Sequence, residues 1–294
     1  MTKPFRFGVV SAASSRDQWV GLARRAEELG YSTLMMPDRL MMELGIITAL
    51  TVAAEATTTL HVGSYVFAND YRHPALLAKE IATLDVLSNG RVELGIGAGV
   101  GGEDYERLGI PFDSAGTRVS RFEEALQVIK QCFTKESVNF SGKYYTVTGL
   151  SGMPKSIQKP HLPILVGSAG KRMLTIAARE ATIVSPTPTY NKGGKSDLAD
   201  IPLEEKVAWV REAAGERFAN LELAQPVYDI AITDSSVPYQ PQAGGPPVSQ
   251  RQMSLEQTIE YMLELRERYG FSYLQLNGGQ MENFAPVVAR LRGK

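Results

Sequence analysis

A single cysteine, Cys132, leaves the chain without an intrachain disulfide, so its stability rests on a packed core. Histidine occurs three times, as His61, His73 and His161, and no pair has metal-ligand spacing, so no metal is expected. No apolar run reaches the roughly 18 residues that cross a bilayer. The amino terminus Met1-Thr-Lys-Pro-Phe5 also lacks the apolar segment of a secretory leader. These absences read as a soluble, cytoplasmic protein. Neither charge sign is in excess: 31 Lys and Arg against 32 Asp and Glu give a formal net charge of −1. The cations are scattered, which argues against nucleic acid or membrane partners and leaves a small molecule.

What is present is apolar and periodic. The 294 residues, 44% of them hydrophobic, suit a large shared core and one α/β barrel domain spanning 1–294. Strand-like runs alternate with helical patterns from end to end, as in βα units. The expected strands are Phe5 to Ser11, Thr33 to Met36, His61 to Phe67, Arg91 to Ile96, Pro163 to Val166, Thr182 to Ser185, Pro226 to Ile232 and Tyr273 to Leu276. This pattern predicts a (β/α)8 TIM barrel with its active site on the carboxyl-end rim.

The helices carry their own punctuation. Ser15-Arg-Asp-Gln18 reads as a capping box before a face of Trp19, Leu22, Ala23, Ala26 and Leu29, and Gly30 ends that helix. Ser254 to Gln257 repeats the device before Leu255, Ile259, Met262 and Leu263. Leu77, Ile81 and Leu84 mark the third helix, and Phe284, Val288 and Leu291 the last. Cys132 stands beside Phe122, Leu126, Ile129 and Phe133, which makes it a packing residue. Three stretches exceed a minimal barrel: about 136 to 162, with a hairpin over Val138 to Val147, and the Pro/Gly-rich 186 to 201 and 233 to 252. The last two read as lids inserted at the rim.

The most informative stretch runs from Arg91 to Arg121. An apolar strand leads into Gly95-Ile-Gly-Ala-Gly-Val-Gly-Gly102, where glycine lets backbone approach a flat or phosphorylated ligand closely. Gly97-x-Gly99-x-x-Gly102 has the letters of the dinucleotide fingerprint. That motif needs a helix at its third glycine and an acid ending a second strand about 20 residues on. Here only a short polar turn is expected before Leu108-Gly-Ile-Pro111, and Glu123 and Glu124 fall inside a helical pattern. A nicotinamide Rossmann domain is therefore set aside.

The order and spacing of further segments complete a pattern: Trp19-Val-Gly-Leu-Ala-Arg-Arg-Ala-Glu-Glu-Leu-Gly-Tyr31, Pro37-Asp38, Tyr71-Arg-His-Pro-Ala75, Ala82 to Arg91, the glycine turn with Tyr105 and Leu108 to Phe112, Val138 to Tyr145, and Pro163-Ile-Leu-Val-Gly-Ser-Ala-Gly170. Over residues 5 to 185 the chain resembles the bacterial luciferase-like flavin and deazaflavin oxidoreductases, above all the branch that uses coenzyme F420. The last third matches only in its helices and final strand.

The resemblance implies a barrel with a deazaflavin ring, or FMN as the alternative, at the strand ends. It assigns cofactor contacts to Asp38, Tyr65, Val66, Gly97, Ala98, Gly99, Gly167, Ser168, Ala169 and Gly170. Relatives carry a non-prolyl cis peptide where Tyr65-Val66 stands. The turn Gly167 to Gly170 would present backbone N–H groups to the coenzyme's phosphate. Asp38 and Arg39 are the expected catalytic pair and Asn277 a substrate contact. A homodimer is also implied.

Departures from the family bear on chemistry. Many relatives have His after the strand-two aspartate, and here Arg39 stays protonated and shuttles no proton. Arg39 either meets the coenzyme tail, polarises a substrate carbonyl, or pairs with Asp38. Val100 stands where sugar-phosphate dehydrogenases of the family carry a glutamate, which argues against that substrate. Glu103 and Asp104 read as a solvated turn, with reach into the site as the alternative, and His73 as a cap or packing residue, with a contact to the cofactor tail as the alternative. Arg39, Arg72, Lys171 and Arg172 would attract an anionic tail.

The expected activity is hydride transfer between the coenzyme's C5 and an activated alkene, imine or carbonyl. Flavin-dependent monooxygenation is the first alternative. A lyase or aldolase would need a lysine on the strands, and none is there. A non-catalytic barrel would be expected to lose Gly97 to Gly99 or Gly167 to Gly170, and both are intact.

Overall fold

The strands form where the apolar runs lie, because parallel strands are covered on both faces and need side chains that tolerate burial throughout. The computed structural model describes residues 3–188, 200–239 and 251–294. Its strands are β1 Arg6–Val10, β2 Thr33–Met36, β3 His61–Ser64, β4 Phe67–Ala68, β5 Val92–Gly97, β6 Ser137–Ser141, β7 Thr146–Ser151, β8 Ile164–Ser168, β9 Ile183–Pro186, β10 Glu222–Pro226, β11 Ile230–Ile232, β12 Arg251–Met253 and β13 Phe271–Asn277. Its helices are α1 Arg16–Glu28, α2 Ile46–Glu55, α3 Pro74–Leu87, α4 Gly102–Leu108, α5 Ala115–Thr134, α6 Lys171–Glu180, α7 Leu203–Ala214, α8 Leu255–Tyr269 and α9 Ala285–Leu291.

In chain order β1, β2, β3, β5, β8, β9, β10 and β13 each pair in parallel with the next, and β13 pairs back with β1. The barrel is closed, as the alternation predicts. Met35, Leu165, Ile183, Ala224 and Tyr273 fill its interior, with Val10, Tyr65 and Val66 packed on them. The larger core lies between strands and helices and includes Cys132, buried among Phe122, Leu126, Ile129 and Phe133. The antiparallel hairpin β6–β7 stands where Val138 to Val147 placed it.

Several boundaries differ from expectation. The seventh barrel strand is β10, not Pro226 to Ile232: Pro226 lacks the N–H that would continue the ladder, and Ile230–Ile232 pairs instead with β12. The third strand is interrupted at Tyr65-Val66, with β3 and β4 both pairing β5. After Gly102 the chain does open a short helix, α4, which ends at left-handed Gly109. Seven residues do not hold a helix in isolation. Here the buried side chains of Asp104 and Tyr105 anchor it from outside. The helix condition of the dinucleotide fingerprint is thus met, but Glu123 and Glu124 lie inside α5 rather than ending a strand. On α8 the buried stripe is Thr258, Met262 and Leu265, while Leu263 faces out. The expected lids fall largely on 189–199 and 240–250, outside the described residues.

Candidate active site

The two ends of the barrel are built differently. At the amino-terminal floor, Arg6 chelates Glu222 through Nε and Nη2, both at 2.7 Å, and also meets Glu93, whose Oε1 accepts from Thr33 at 3.2 Å. Burial opposes the ionisation of Glu93, yet the attraction and hydrogen bonding of Arg6 outweigh it, and its carboxyl titrates below the usual range. A hollow of ≈ 370 Å³ opens there, lined in part by Arg6, His61, Glu93 and Glu222. His61 lies at this end, as expected.

The rim carries the candidate residues. The Tyr65–Val66 peptide is cis. A Cβ on Gly97 would meet Val66 Cγ2 at 3.2 Å, so the missing side chain gives Val66 its place against β5. Gly99 has φ +84°, and a Cβ on it would fall 1.8 Å from the Tyr105 hydroxyl, so backbone conformation and Tyr105 together account for that glycine. Ala98 lies between them, partly buried against the core.

The turn after β8 is open by contrast. A Cβ on Gly170 would meet nothing within 4 Å, and one on Gly167 only ordinary contacts at 3.7 Å. Gly170 is the N-cap of α6, and its N–H donates to Ser168 Oγ at 3.2 Å. The first-turn amides of α6 have no carbonyl of their own helix to meet. This open backbone and the hydroxyl of Ser168, with Ala169 between, fit a phosphate; Val66, seated against Gly97, offers an apolar surface that fits a flat ring. The residues present therefore fit a deazaflavin or FMN.

Asp38 and Arg39 do not pair with each other. Asp38 is buried and receives Arg72 on both oxygens, at 2.6 and 3.0 Å, together with the Ala68 N–H at 3.1 Å. Arg39 donates through Nε to Asp104 Oδ2 at 2.7 Å. Asp104, expected as part of a solvated turn, is 1% exposed. Nearby, Tyr105 and Arg121 both donate to Asp70. Burial, then the charge and hydrogen bond of Asp70, push the Tyr105 phenol above its ordinary value.

The cations expected to attract an anionic tail are all engaged. Arg72 holds Asp38, Arg39 holds Asp104, Lys171 lies 5.4 Å from the Trp209 ring, and Arg172 donates to Gly116 and Ser120. His73 caps α3 by accepting the Ala75 N–H and packs edge-on against Tyr145, the cap reading of the two considered. Asn277 ends β13, half-buried, with its N–H on Gln280 Oε1 at 3.0 Å.

Sequence reasoning overlooked a polar chain inside the barrel. Tyr65 Oη lies 3.4 Å from Ser185 Oγ, which lies 3.5 Å from the amide oxygen of fully buried Gln275. Two strands, β9 and β13, and the break between β3 and β4 meet there, and the one available signal was a polar residue near the ends of those two strands. Asp104 and Asp70 were likewise invisible as the partners of Arg39 and of Tyr105 and Arg121. Among the described residues, no three His, Cys, Asp or Glu side chains group as metal ligands, and no helix is long and apolar enough to cross a membrane.

A closed parallel barrel with an interrupted strand and an open glycine turn on one rim defines a (β/α)8 barrel with a candidate cofactor site. The model of the luciferase-like monooxygenase family matches residues 2–226, and the chain belongs to that family. An F420-dependent glucose-6-phosphate dehydrogenase of Microbacterium testaceum is 28% identical over 191 residues, 62% of this chain and 56% of the relative. The F420-dependent tetrahydromethanopterin reductase of Methanopyrus kandleri superposes with a TM-score of 0.78 at 18% identity, covering 98% of this chain and 100% of its own. The long-chain alkane monooxygenase LadA gives 0.79 at 14%, covering 99% and 92%. At such identities the two structures speak for the fold alone.

Proposed function

We propose that the chain is an F420-dependent oxidoreductase acting on a small organic substrate with an activated alkene, imine or carbonyl group. The observation that carries the reading is the open backbone from Gly167 to Gly170 at the head of α6, on the rim that also holds Val66 and Gly97. When bound there, the reduced deazaflavin supplies a hydride from its C5. Gly167, Ser168, Ala169 and Gly170 would hold its phosphate, and Tyr65, Val66, Gly97, Ala98 and Gly99 would bound its ring. Sequence kinship with an F420-dependent dehydrogenase supports the choice of coenzyme.

The protein's own part is position and charge. Asp38 has both oxygens closed by Arg72 and Ala68, so it braces the strand-two loop. Arg39 is a permanent cation, suited to polarise an acceptor oxygen. Asn277 lies at the end of β13 on the substrate side. A homodimer belongs to this reading through the family resemblance.

One observation favours FMN as the second reading: the rim cations that would attract a polyanionic tail are already engaged. Titration of the purified protein with F420 and with FMN, followed by fluorescence and thermal shift, decides. Binding on the order of micromolar for F420 with weak FMN binding upholds the proposal. Preference for FMN moves the chemistry to monooxygenation, and binding of neither leaves a barrel without this activity.

A further inference from the structure

Two rim arginines have their forks taken up by carboxylates. Arg72 gives both amino groups to Asp38, and Arg121 gives all three nitrogens to Asp70 and Asp113. Arg39 differs. Only its Nε is engaged, on Asp104 Oδ2, and among the described residues its two Nη groups make no hydrogen bond. Its side chain is 38% exposed.

Asp104 is the other half of the arrangement. It is 1% exposed, and its second oxygen makes no hydrogen bond, the nearest cation being Arg107 at 3.8 Å. A buried carboxylate with an unmet oxygen is costly and needs its remaining partner. That partner is Arg39, so the contact at Nε holds the planar guanidinium and leaves the far edge of its fork open.

The exposed side chains on the same two loops include four large apolar ones, beside the acidic Glu43, Glu103 and Glu106 and the cation Arg107. Leu40 and Met41 follow Arg39 directly, at 48% and 61% exposure, and Val100 and Phe112 flank α4 at 76% and 46%. Open apolar groups beside an oriented cation, on loops whose other exposed charges are mostly acidic, suit a ligand with an apolar body and one neutral accepting oxygen. The charge of Arg39 is already matched by Asp104. The nearby Arg118 lies 4.0 Å over the Phe112 ring and donates to the Asp113 carbonyl. An anion arriving here would be desolvated by apolar side chains and repelled by Asp104, whereas a neutral oxygen gains a charge-assisted hydrogen bond at little desolvation cost.

Building on the oxidoreductase reading, we propose that Arg39, held in place by Asp104, anchors the carbonyl oxygen of an uncharged, largely apolar carbonyl compound lying across Leu40, Met41, Val100 and Phe112. Arg39 touches the substrate. Asp104 is a positioning residue that acts through it.

The test is binding, read by calorimetry on protein saturated with oxidised F420, which leaves the probe unreduced. The probes are 3-nonen-2-one and nonanoate, alike in length and different in charge. The enone is expected to bind about tenfold more tightly than nonanoate. Arg39→Gln is expected to weaken it about tenfold, with F420 affinity held within about twofold. Asp104→Asn is expected to match that loss, and Arg39→Lys not to restore binding, because lysine lacks the fork.

Nonanoate bound as tightly as the enone overturns the proposal, as does enone affinity indifferent to Arg39→Gln or an equal loss of F420 affinity. A purely structural Asp104 would lower the melting temperature without moving the ratio of the two affinities, which overturns its positioning role. If Asp104→Asn does not fold, Asp104→Glu serves. Met41→Ser then reads the apolar contact: unchanged enone affinity with altered self-association in light scattering would assign that surface to a second copy of the chain and overturn the proposal. Should F420 not bind, the F420 reading fails separately. Enone binding to the apo-protein then decides: dependence on Arg39 upholds the anchor, and its absence removes it.

Discussion

Gly99 shows how one residue can be constrained twice. Its φ of +84° disfavours any side chain, and the Tyr105 hydroxyl occupies the place of a Cβ. Gly99→Ala is expected to cost about 2 kcal/mol, seen as a fall in melting temperature of roughly 4–8 °C. Tyr105→Phe removes the obstructing hydroxyl, so the double variant is expected to recover part of that loss; strict additivity would show that Tyr105 is not the obstacle. Gly170→Ala meets no neighbour and is expected to leave the melting temperature nearly unchanged while weakening coenzyme binding, which the F420 titration measures. The glycines were legible as a group in the sequence. Which were required by packing and which left open space was not, because that depends on Tyr105 and Val66 arriving from elsewhere in the chain.

At the scale of elements, caps and turns explain the helix boundaries. Ser254 and Gln257 form a complete capping box on α8. On α1, Ser15 accepts the Gln18 N–H, but the Gln18 side chain turns to Ser14 instead. Ser254→Ala is therefore expected to cost about 1 kcal/mol in urea unfolding, and Ser15→Ala less.

Glu27 ties α1 to the turn before β3 by accepting the N–H groups of Thr58, Thr59 and Leu60 on one oxygen. Burial opposes its ionisation, but these bonds outweigh it and push the carboxyl from 4.5 down to about 2. Since the folded value lies below the unfolded one, the stabilisation is full above 4.5 and disappears as pH falls through about 2. The stability gap between the parent and Glu27→Gln is expected to close over that window in a series of melts; a gap independent of pH would refute the assignment.

At the scale of the whole molecule, the barrel separates a floor that stabilises from a rim that binds. Glu93→Gln breaks the buried contact with Arg6 and is expected to cost about 3 kcal/mol in chemical denaturation, while coenzyme affinity at the opposite end stays unchanged. A parallel fall in coenzyme affinity would show that the two ends are coupled. Lys206, buried on α7, joins Asp200 to the Thr187 carbonyl and so ties together the flanks of the segment between them.

The amino-acid sequence by itself determined the barrel: the alternation of apolar strands with capped helices is a local property, and each strand carries its own burial pattern. It also located the rim turns, because glycine clusters are read without knowing their neighbours. The seventh strand was missed because Pro226 ends it from within a run that looks extended on both sides. Only the tertiary structure decided who partners whom. Asp38 took Arg72 rather than adjacent Arg39, and Arg39 took Asp104, 65 residues on. Such pairings arise when the barrel sets β2 and β5 on either side of β3, so that the loops after them meet at its carboxyl end, an outcome of chain topology that no local spacing encodes.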